Sequence, residues 1–520
     1  MPTLHWIGKD KVINHHRDVP FHVLDEKYTF HTEGEQSDNK IIHGDNLLAL
    51  KSLLPQYEGK IKCIYIDPPY NTGNEGWVYN DNVNDPKIKK WLAQTVGKEG
   101  EDLSRHDKWL CMMYPRLKLL HQLLATDGVI MLSIGDDELE NTIFLLNEIW
   151  GKNNSLGIFL WKSRAKPTNA GEAKFRVQKV SEYVLLYAKK SQNVNYNALL
   201  NDTIRTYPHK DSEGSYRITT ILTSNLGVYQ RETMRFTIGD FTPNESQRWK
   251  GGYDMIDDLY KKNRLEFRTG IPMRKHYDFE EEELHYPFYT FIETEVSGTA
   301  ENGKNDLTKI LGSGHGFDTV KPTSLINYFL KVFADKNSII LDSFAGSGTT
   351  AHAVLNLNKQ DGGNRKFILI EMEDYAESIT AERVKRVIKG YSNTEGVGGS
   401  FAYSTLGEPL FDEDGNLNEK VPTDTIRTYV FYTETEQYIK DQAAAIDGET
   451  PHFMGIKDTT AYYFYYEKER MTTLDLAFLQ TVRTRADMYI IYADNTLLSL
   501  EFLKSRNIIF KKIPRDVRRF

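Results

Sequence analysis

Residues 67–70 read Asp-Pro-Pro-Tyr and come straight after the apolar run 62–66, "KCIYI". A carboxylate, two prolines and an aromatic ring at the end of a buried strand make either a stiff turn, which Asp-Pro commonly marks, or a site. A second stretch that could do chemistry is "LDSFAGSGTTAHAVLNL" (341–357), a strand end, a glycine-rich turn and a helix start. Glycines there let the backbone approach a ligand and expose N–H groups at the helix N-terminus. Glu371 ends the next strand, 29 residues after Asp342, where an acid usually holds a nucleoside ribose.

Three other uses of the glycine loop compete with that one. Gly346 and Gly348 could be simple turn glycines. A phosphate loop requires GxxxxGK[ST], but Thr349 stands where lysine is needed. A dinucleotide loop requires a third glycine, and 349–351 supply none. Two glycines with a downstream acid better suit a nucleoside ligand without pyrophosphate, such as S-adenosylmethionine.

The elements that must carry these residues show as seven short apolar runs: 39–45, 61–67, 127–136, 156–161, 181–189, 337–344 and 365–372. Their near-continuous aliphatic character predicts strands buried on both faces, as in a parallel α/β sheet. Between them, 114–128 places Leu117, Leu120 and Leu124 on one helical stripe, with Pro115 early and Gly128 as a stop. The expected fold is therefore α/β, doubly wound and Rossmann-like. The glycine loop normally opens such a domain, yet it lies 277 residues after Asp67. A circular permutation accounts for this, with Asp67 ending the strand beside the glycine-loop strand.

The alternation breaks over about 195–312, which reads as an inserted domain of irregular or mixed structure. The resulting boundaries are an N-terminal arm (1–38), a first catalytic part (39–194), the insert (195–312), a second part with the glycine loop (313–392), a connector (393–450) and a small α/β domain (451–520).

Over 520 residues the chain is 40% hydrophobic and 27% charged, with a net charge of −8. That balance argues against a general nucleic-acid coat. Residues 151–190, however, hold nine Lys/Arg against two Glu, a local +7. The patch is compatible with phosphate backbone, although such patches are more often solvated faces. No apolar window reaches membrane length. Cys63 and Cys111 form no metal-type cluster, so a reducing cytoplasm and no metal are the default.

With both motifs in hand, the chain resembles the β-group of DNA amino-methyltransferases, in which DPPY precedes an FxGxG loop. More narrowly, it is similar to the modification (Mod) subunit of type III restriction-modification systems through "YIDPPYNTGNEGWVYNDNVND", "KWLCMMYPRLKLLHQLLATDGVIMLSIGDDE" and its extended C-terminal region. The likeness is strong over about 40–190 and 315–390 and weak over 195–312. It implies S-adenosylmethionine as cofactor and adenine N6 in double-stranded DNA as target, with cytosine N4, or an orphan enzyme without a nuclease partner, as the alternative. It also implies a homodimer and a restriction subunit with helicase and nuclease activities.

By the same resemblance, Asp67, Pro68, Pro69 and Tyr70 are catalytic. Asp342, Phe344, Gly346, Gly348 and Glu371 hold the cofactor, Asp45 lies near its adenine, and Lys321, Pro322 and Thr323 contact its carboxylate. Asp45 reads equally as a helix N-cap and Pro322 as a helix start. Candidate DNA contacts are Arg164 and Lys166 in the basic patch, and Arg248, Lys250, Arg264 and Arg268 in the insert.

Overall fold

The computed structural model describes residues 3–32, 38–72, 105–166, 175, 177–200, 205–228, 230–281, 285–412, 414–441, 447–514 and 517. The stretches 73–85 and 167–174, used above for the resemblance and the basic patch, lie outside these. Residues 1–197 with 289–520 form one compact unit and residues 198–288 a second.

The larger unit is built on a ten-stranded sheet of described residues: β1 (His22–His31), β2 (Lys40–His43), β3 (Ile61–Ile66), β4 (Leu124–Ile134), β5 (Ser155–Trp161), β6 (Glu182–Ala188), β7 (Phe291–Ile292), β8 (Ile339–Asp342), β9 (Lys366–Glu371) and β10 (Ser400–Pro409). The order is β1-β10-β2-β9-β8-β3-β4-β6-β5-β7. All seven apolar runs are strands. The permuted neighbourhood is present: β8 runs parallel to β3, with Ile340 opposite Cys63 and Leu341 opposite Ile64. On its other edge β8 runs parallel to β9. The sheet is mixed, because β6 is antiparallel to both β4 and β5.

Helices cover both faces. Asp45 caps α1 (Asn46–Tyr57), its carboxylate accepting the N–H groups of Leu47 and Leu48 at 2.7 and 3.3 Å. This helix, α2 (Arg105–Leu123) and α3 (Leu139–Ile149) share one core with Ile64, Ile66, Ile130 and Leu132. Cys63 and Tyr65 alternate to the other side of β3 and are also buried, which is why that strand is apolar throughout. On that side α5 (Thr323–Phe333) packs on β3, and α6 (Thr349–Asp361) packs on α5 and β9. The stripe read over 114–128 needs correction. Leu124 already belongs to β4, and Pro115 lies inside α2 rather than near its start.

The chain outside the expected catalytic parts also joins this unit. β1, from the N-terminal arm, pairs antiparallel with β10, from the expected connector. Residues 289–311, expected in the insert, provide β7 beside β5 and the helix α4 (Ala300–Leu311). The C-terminal part is a sheet of β11 (Phe453–Lys457), β12 (Thr460–Phe464), β13 (Met488–Ala493) and β14 (Ile508–Lys512) in that order. It shares a core with α8 (Thr423–Thr435). No described helix is long and apolar enough to cross a membrane.

The smaller unit carries a four-stranded antiparallel sheet, in which Ile271–Tyr277 lies between Leu265–Arg268 and Ser215–Thr220. A hairpin pairs Leu222–Ser224 with Gln247–Trp249, and a helix spans Tyr253–Lys261. Trp249 is fully buried at its core.

Candidate active site

Asp67 leaves the C-terminal end of β3, where parallel strands present their loops. Both of its carboxylate oxygens accept from Lys321 Nζ, at 2.9 and 2.8 Å. Lys321 also lies 3.3 Å from the carboxylate of Glu182, and Glu182 accepts the Tyr70 hydroxyl at 2.8 Å. The ammonium is flanked by two rings, 5.0 Å from the centroid of Tyr70 and 5.7 Å from that of Trp161. Trp161 is itself fixed by donating its indole N–H to the Gly298 carbonyl at 3.1 Å. The side chains of Lys321, Asp67 and Glu182 are only 4, 11 and 15% exposed, so their charges act through little water. Burial pushes the Asp67 carboxyl above the usual carboxylate range, with Lys321 opposing it. Burial works against the Lys321 ammonium too, but Asp67 and Glu182 outweigh it and hold its pKa above the ordinary lysine value.

The loop after Asp67 is held from α2 and from Glu138, the residue that precedes α3. Trp109 donates to the Pro69 carbonyl at 2.7 Å. Asn71, in the left-handed region with φ 56°, donates to Glu138 at 2.5 Å and to the Arg105 carbonyl at 3.1 Å. Glu138 is wholly buried, with His106 Nδ1 2.6 Å from it and Asn141 donating at 2.7 Å. The fixed loop in turn limits where the Tyr70 ring can lie.

The glycine loop joins β8 to α6. Asp342 accepts the Phe344 N–H at 3.0 Å and the Thr350 hydroxyl at 2.5 Å. Glu371 accepts the N–H groups of Gly346 at 2.7 Å and Glu373 at 3.0 Å. Burial raises both carboxyls to about 7, and Asp67 adds to the rise of Asp342. The two motifs thus sense each other across one sheet edge. Gly346 and Gly348 have φ 51° and 80°, and a Cβ at Gly348 would lie 3.2 Å from the Thr380 carbonyl oxygen. From α7 (Glu382–Lys389), the buried Arg383 donates to the Ser347 hydroxyl and the Thr349 hydroxyl, both at 2.8 Å. Asp45 reaches the same region: Asn46, next to it, donates to the Ser343 carbonyl at 3.1 Å, and the Gly44 N–H donates to the Glu371 carbonyl at 2.9 Å.

Asp67, Tyr70, Lys321, Asp342 and Glu371 therefore sit at one edge of the sheet. Phe344 is partly buried against the core below the loop. Pro322 is the N-cap of α5 and Thr323 its first residue. Lys321, expected to contact the cofactor, bridges Asp67 and Glu182. Arg164 and Lys166 are exposed just past β5. In the smaller unit, Arg248 donates to the Ser224 carbonyl and Lys250 to the Thr220 carbonyl. Arg268 pairs with Glu266 at 2.6 Å. Arg264 is committed internally: it pairs with Glu213 and Glu280 and lies over the Tyr277 ring, 15% exposed. Glu182, Trp161, Trp109 and Arg383 were not singled out from the sequence. The available signal for Glu182 was an acid opening an otherwise apolar strand.

A family model described as DNA methylase matches residues 61–382. The chain is 29% identical over 489 residues to the type III restriction-modification enzyme StyLTI Mod subunit of Salmonella typhimurium, covering 88% of this chain and 70% of that one. It is 27% identical over 453 residues to the type III restriction-modification enzyme EcoPI Mod subunit of Escherichia phage P1, covering 75% and 69%. It is also 29% identical over 361 residues to the type II methyltransferase M.KpnI of Klebsiella pneumoniae, covering 65% and 81%. The family match spans more than half of the chain and takes in the loops after β3 and β8, and the chain belongs to the DNA methylase family.

Proposed function

We propose that this chain transfers a methyl group from S-adenosylmethionine to the N6 amino group of an adenine flipped out of double-stranded DNA, as the modification subunit of a type III restriction-modification system. The observation that carries the reading is the meeting of Asp67 and the Glu371-held glycine loop at adjacent strand ends. The similarity to Mod subunits supports the narrower role.

The residues fit the cofactor. Glu371 uses an oxygen each for Gly346 and Glu373. The Tyr375 hydroxyl and the Met372 N–H also hydrogen-bond to this carboxylate, so a ribose hydroxyl would bind there by taking the place of one of these donors. The loop lies close against the chain behind it, where a Cβ at Gly348 would meet the Thr380 carbonyl oxygen at 3.2 Å. When bound, S-adenosylmethionine supplies an electrophilic methyl group. The amino nitrogen of adenine is a weak nucleophile because its lone pair is delocalised into the ring. Asp67 accepts one amino hydrogen and the Pro68 carbonyl the other, which localises the lone pair and stabilises positive charge as it develops. Tyr70, pinned by Glu182, offers its ring to the base, which must leave the duplex to reach the pocket. A cysteine-nucleophile route to cytosine C5 finds no support, since burial pushes the thiols of Cys63 and Cys111 up to about 12.

The test is transfer from labelled S-adenosylmethionine to varied DNA, with sequencing that distinguishes N6-methyladenine from N4-methylcytosine. No incorporation into any DNA, with cofactor binding confirmed, overturns the reading. Assembly as a homodimer with a restriction subunit belongs to the same proposal, and light scattering with co-purification of the two subunits checks it.

A further inference from the structure

Lys321 and Glu182 form with Asp67 a row of alternating charges, −, +, −, closed on either side by the rings of Tyr70 and Trp161. We infer that Lys321 and Glu182 are a matched pair of positioning residues, Lys321 keeping Asp67 ionised within a buried site and Glu182 restoring the net negative charge that a developing cation needs. The inference rests on the methyl-transfer reading above.

A buried carboxyl drifts towards its neutral form, which can no longer accept hydrogen bonds at both oxygens. An ammonium in contact with both oxygens opposes that drift. With Lys321 on both oxygens and the Tyr70 hydroxyl also hydrogen-bonded to Asp67, about one of the carboxylate's four acceptor sites remains for an amino hydrogen. Alone, however, it would cancel the charge of Asp67, and a neutral pair stabilises an incipient cation poorly. Glu182 returns the group to a net charge of −1. Through the Tyr70 hydroxyl it also orients the ring against which the base would lie. The other titratable groups acting on Asp67 are Tyr70, on the loop that follows it, with Tyr65 of β3 and Asp342 of β8 nearby. Both tyrosines have pKa values held far above neutrality by burial, so Lys321 and Glu182 are the charged partners in direct reach.

The two residues act on Asp67 with opposite sign, which separates this role from a merely structural one. Lys321→Met should move the acid limb of the kcat profile to higher pH, by about one pH unit or more, whereas Glu182→Gln should move it lower. Glu182→Gln keeps an acceptor for Tyr70 and should lower kcat by about tenfold or more with little change in KM. Lys321→Arg, which keeps the charge, should leave the limb near its original place whatever the rate. The same order is expected in the infrared carboxylate signal of Asp67, read as a difference from Asp67→Asn in each background, with no substrate present. Limbs and infrared titrations that stay put, or move in the same direction, overturn the inference. Opposite infrared shifts in a chain that methylates no DNA would uphold the charge triad and sink the methyl-transfer reading instead.

Discussion

Trp109 donates its indole N–H to the carbonyl of Pro69 at 2.7 Å, tying α2 to the middle of the Asp-Pro-Pro-Tyr loop. Neither proline has an N–H, so the tetrapeptide has few backbone donors with which to hold itself, and its position is set largely from outside. Trp109→Phe keeps most of the buried volume and removes the bond. Its stability cost should be about 1 kcal/mol, visible as a small fall in Tm. Its effect on kcat should be larger, about tenfold, because a small displacement of positioned acceptors is costly to rate. Cofactor affinity, measured by calorimetry, should be unchanged.

Asp67→Ala should abolish methyl transfer, with kcat falling by at least about a hundredfold, while DNA binding in a mobility-shift titration stays close to that of the unaltered chain. Lys321 would still face Glu182, so the site would become a neutral pair rather than collapse. Equal loss of transfer and DNA binding would mark Asp67 as structural.

Much of this edge of the molecule is legible before any fold is known. β3, β8 and β9 are buried on both faces, so their apolar runs stand out, and acids at their ends mark where ligands gather. Glu182 escapes that logic because β6 is antiparallel to β4. Its first residue, not its last, lies at the ligand edge, and strand direction leaves no local mark in sequence. Arg383 reads as one of several basic residues on a helix, and only the packing of α7 against the glycine loop shows it buried. β1, at the sheet edge, is half-buried or exposed throughout and β10 is only partly buried, so neither shows as a continuous apolar run. Their partners lie more than 360 residues apart, a separation that composition reads as arm and connector.

The glycine loop should tolerate no side chain at Gly348. Its φ of 80° disfavours any L-residue, and a Cβ would press to 3.2 Å from the carbonyl oxygen of Thr380. Gly348→Ala should therefore cost about 1–3 kcal/mol of stability and weaken S-adenosylmethionine binding at the same time. A calorimetric titration and a thermal melt read the two effects. Unchanged cofactor affinity would argue that the loop does not touch the ligand.

In the smaller unit, Arg264 and Arg248 should separate. Arg264 is mostly buried beneath two carboxylates and over Tyr277, so Arg264→Ala leaves Glu213 and Glu280 facing each other and should lower the Tm of the unit. Arg248 keeps its guanidinium near the surface, tied to one backbone carbonyl. Arg248→Ala should leave Tm within about 0.5 kcal/mol equivalent and weaken DNA binding. DNA affinity that depends on Arg264 without any thermal change would reverse the assignment.

Glu371 makes a prediction about pH. Burial raises its carboxyl from the ordinary 4.5 to about 7, so between those values the folded chain keeps a proton that the unfolded chain has released. Stability must then fall as pH rises through this window. No cost is present below about 4.5 and the full cost is present above about 7, on the order of 3 kcal/mol for this one group. Asp342, raised to about 7 by the same burial, adds a slope of the same sign. Glu371→Gln cannot ionise and should remove its share. The loss of stability between pH 5 and pH 8, followed by urea denaturation, should become shallower than in the unaltered chain. Any disturbance from the amide facing the Glu373 N–H shifts the variant equally at both pH values and leaves that slope untouched. An unchanged slope would show that Glu371 is ionised throughout, held so by the N–H groups of Gly346 and Glu373.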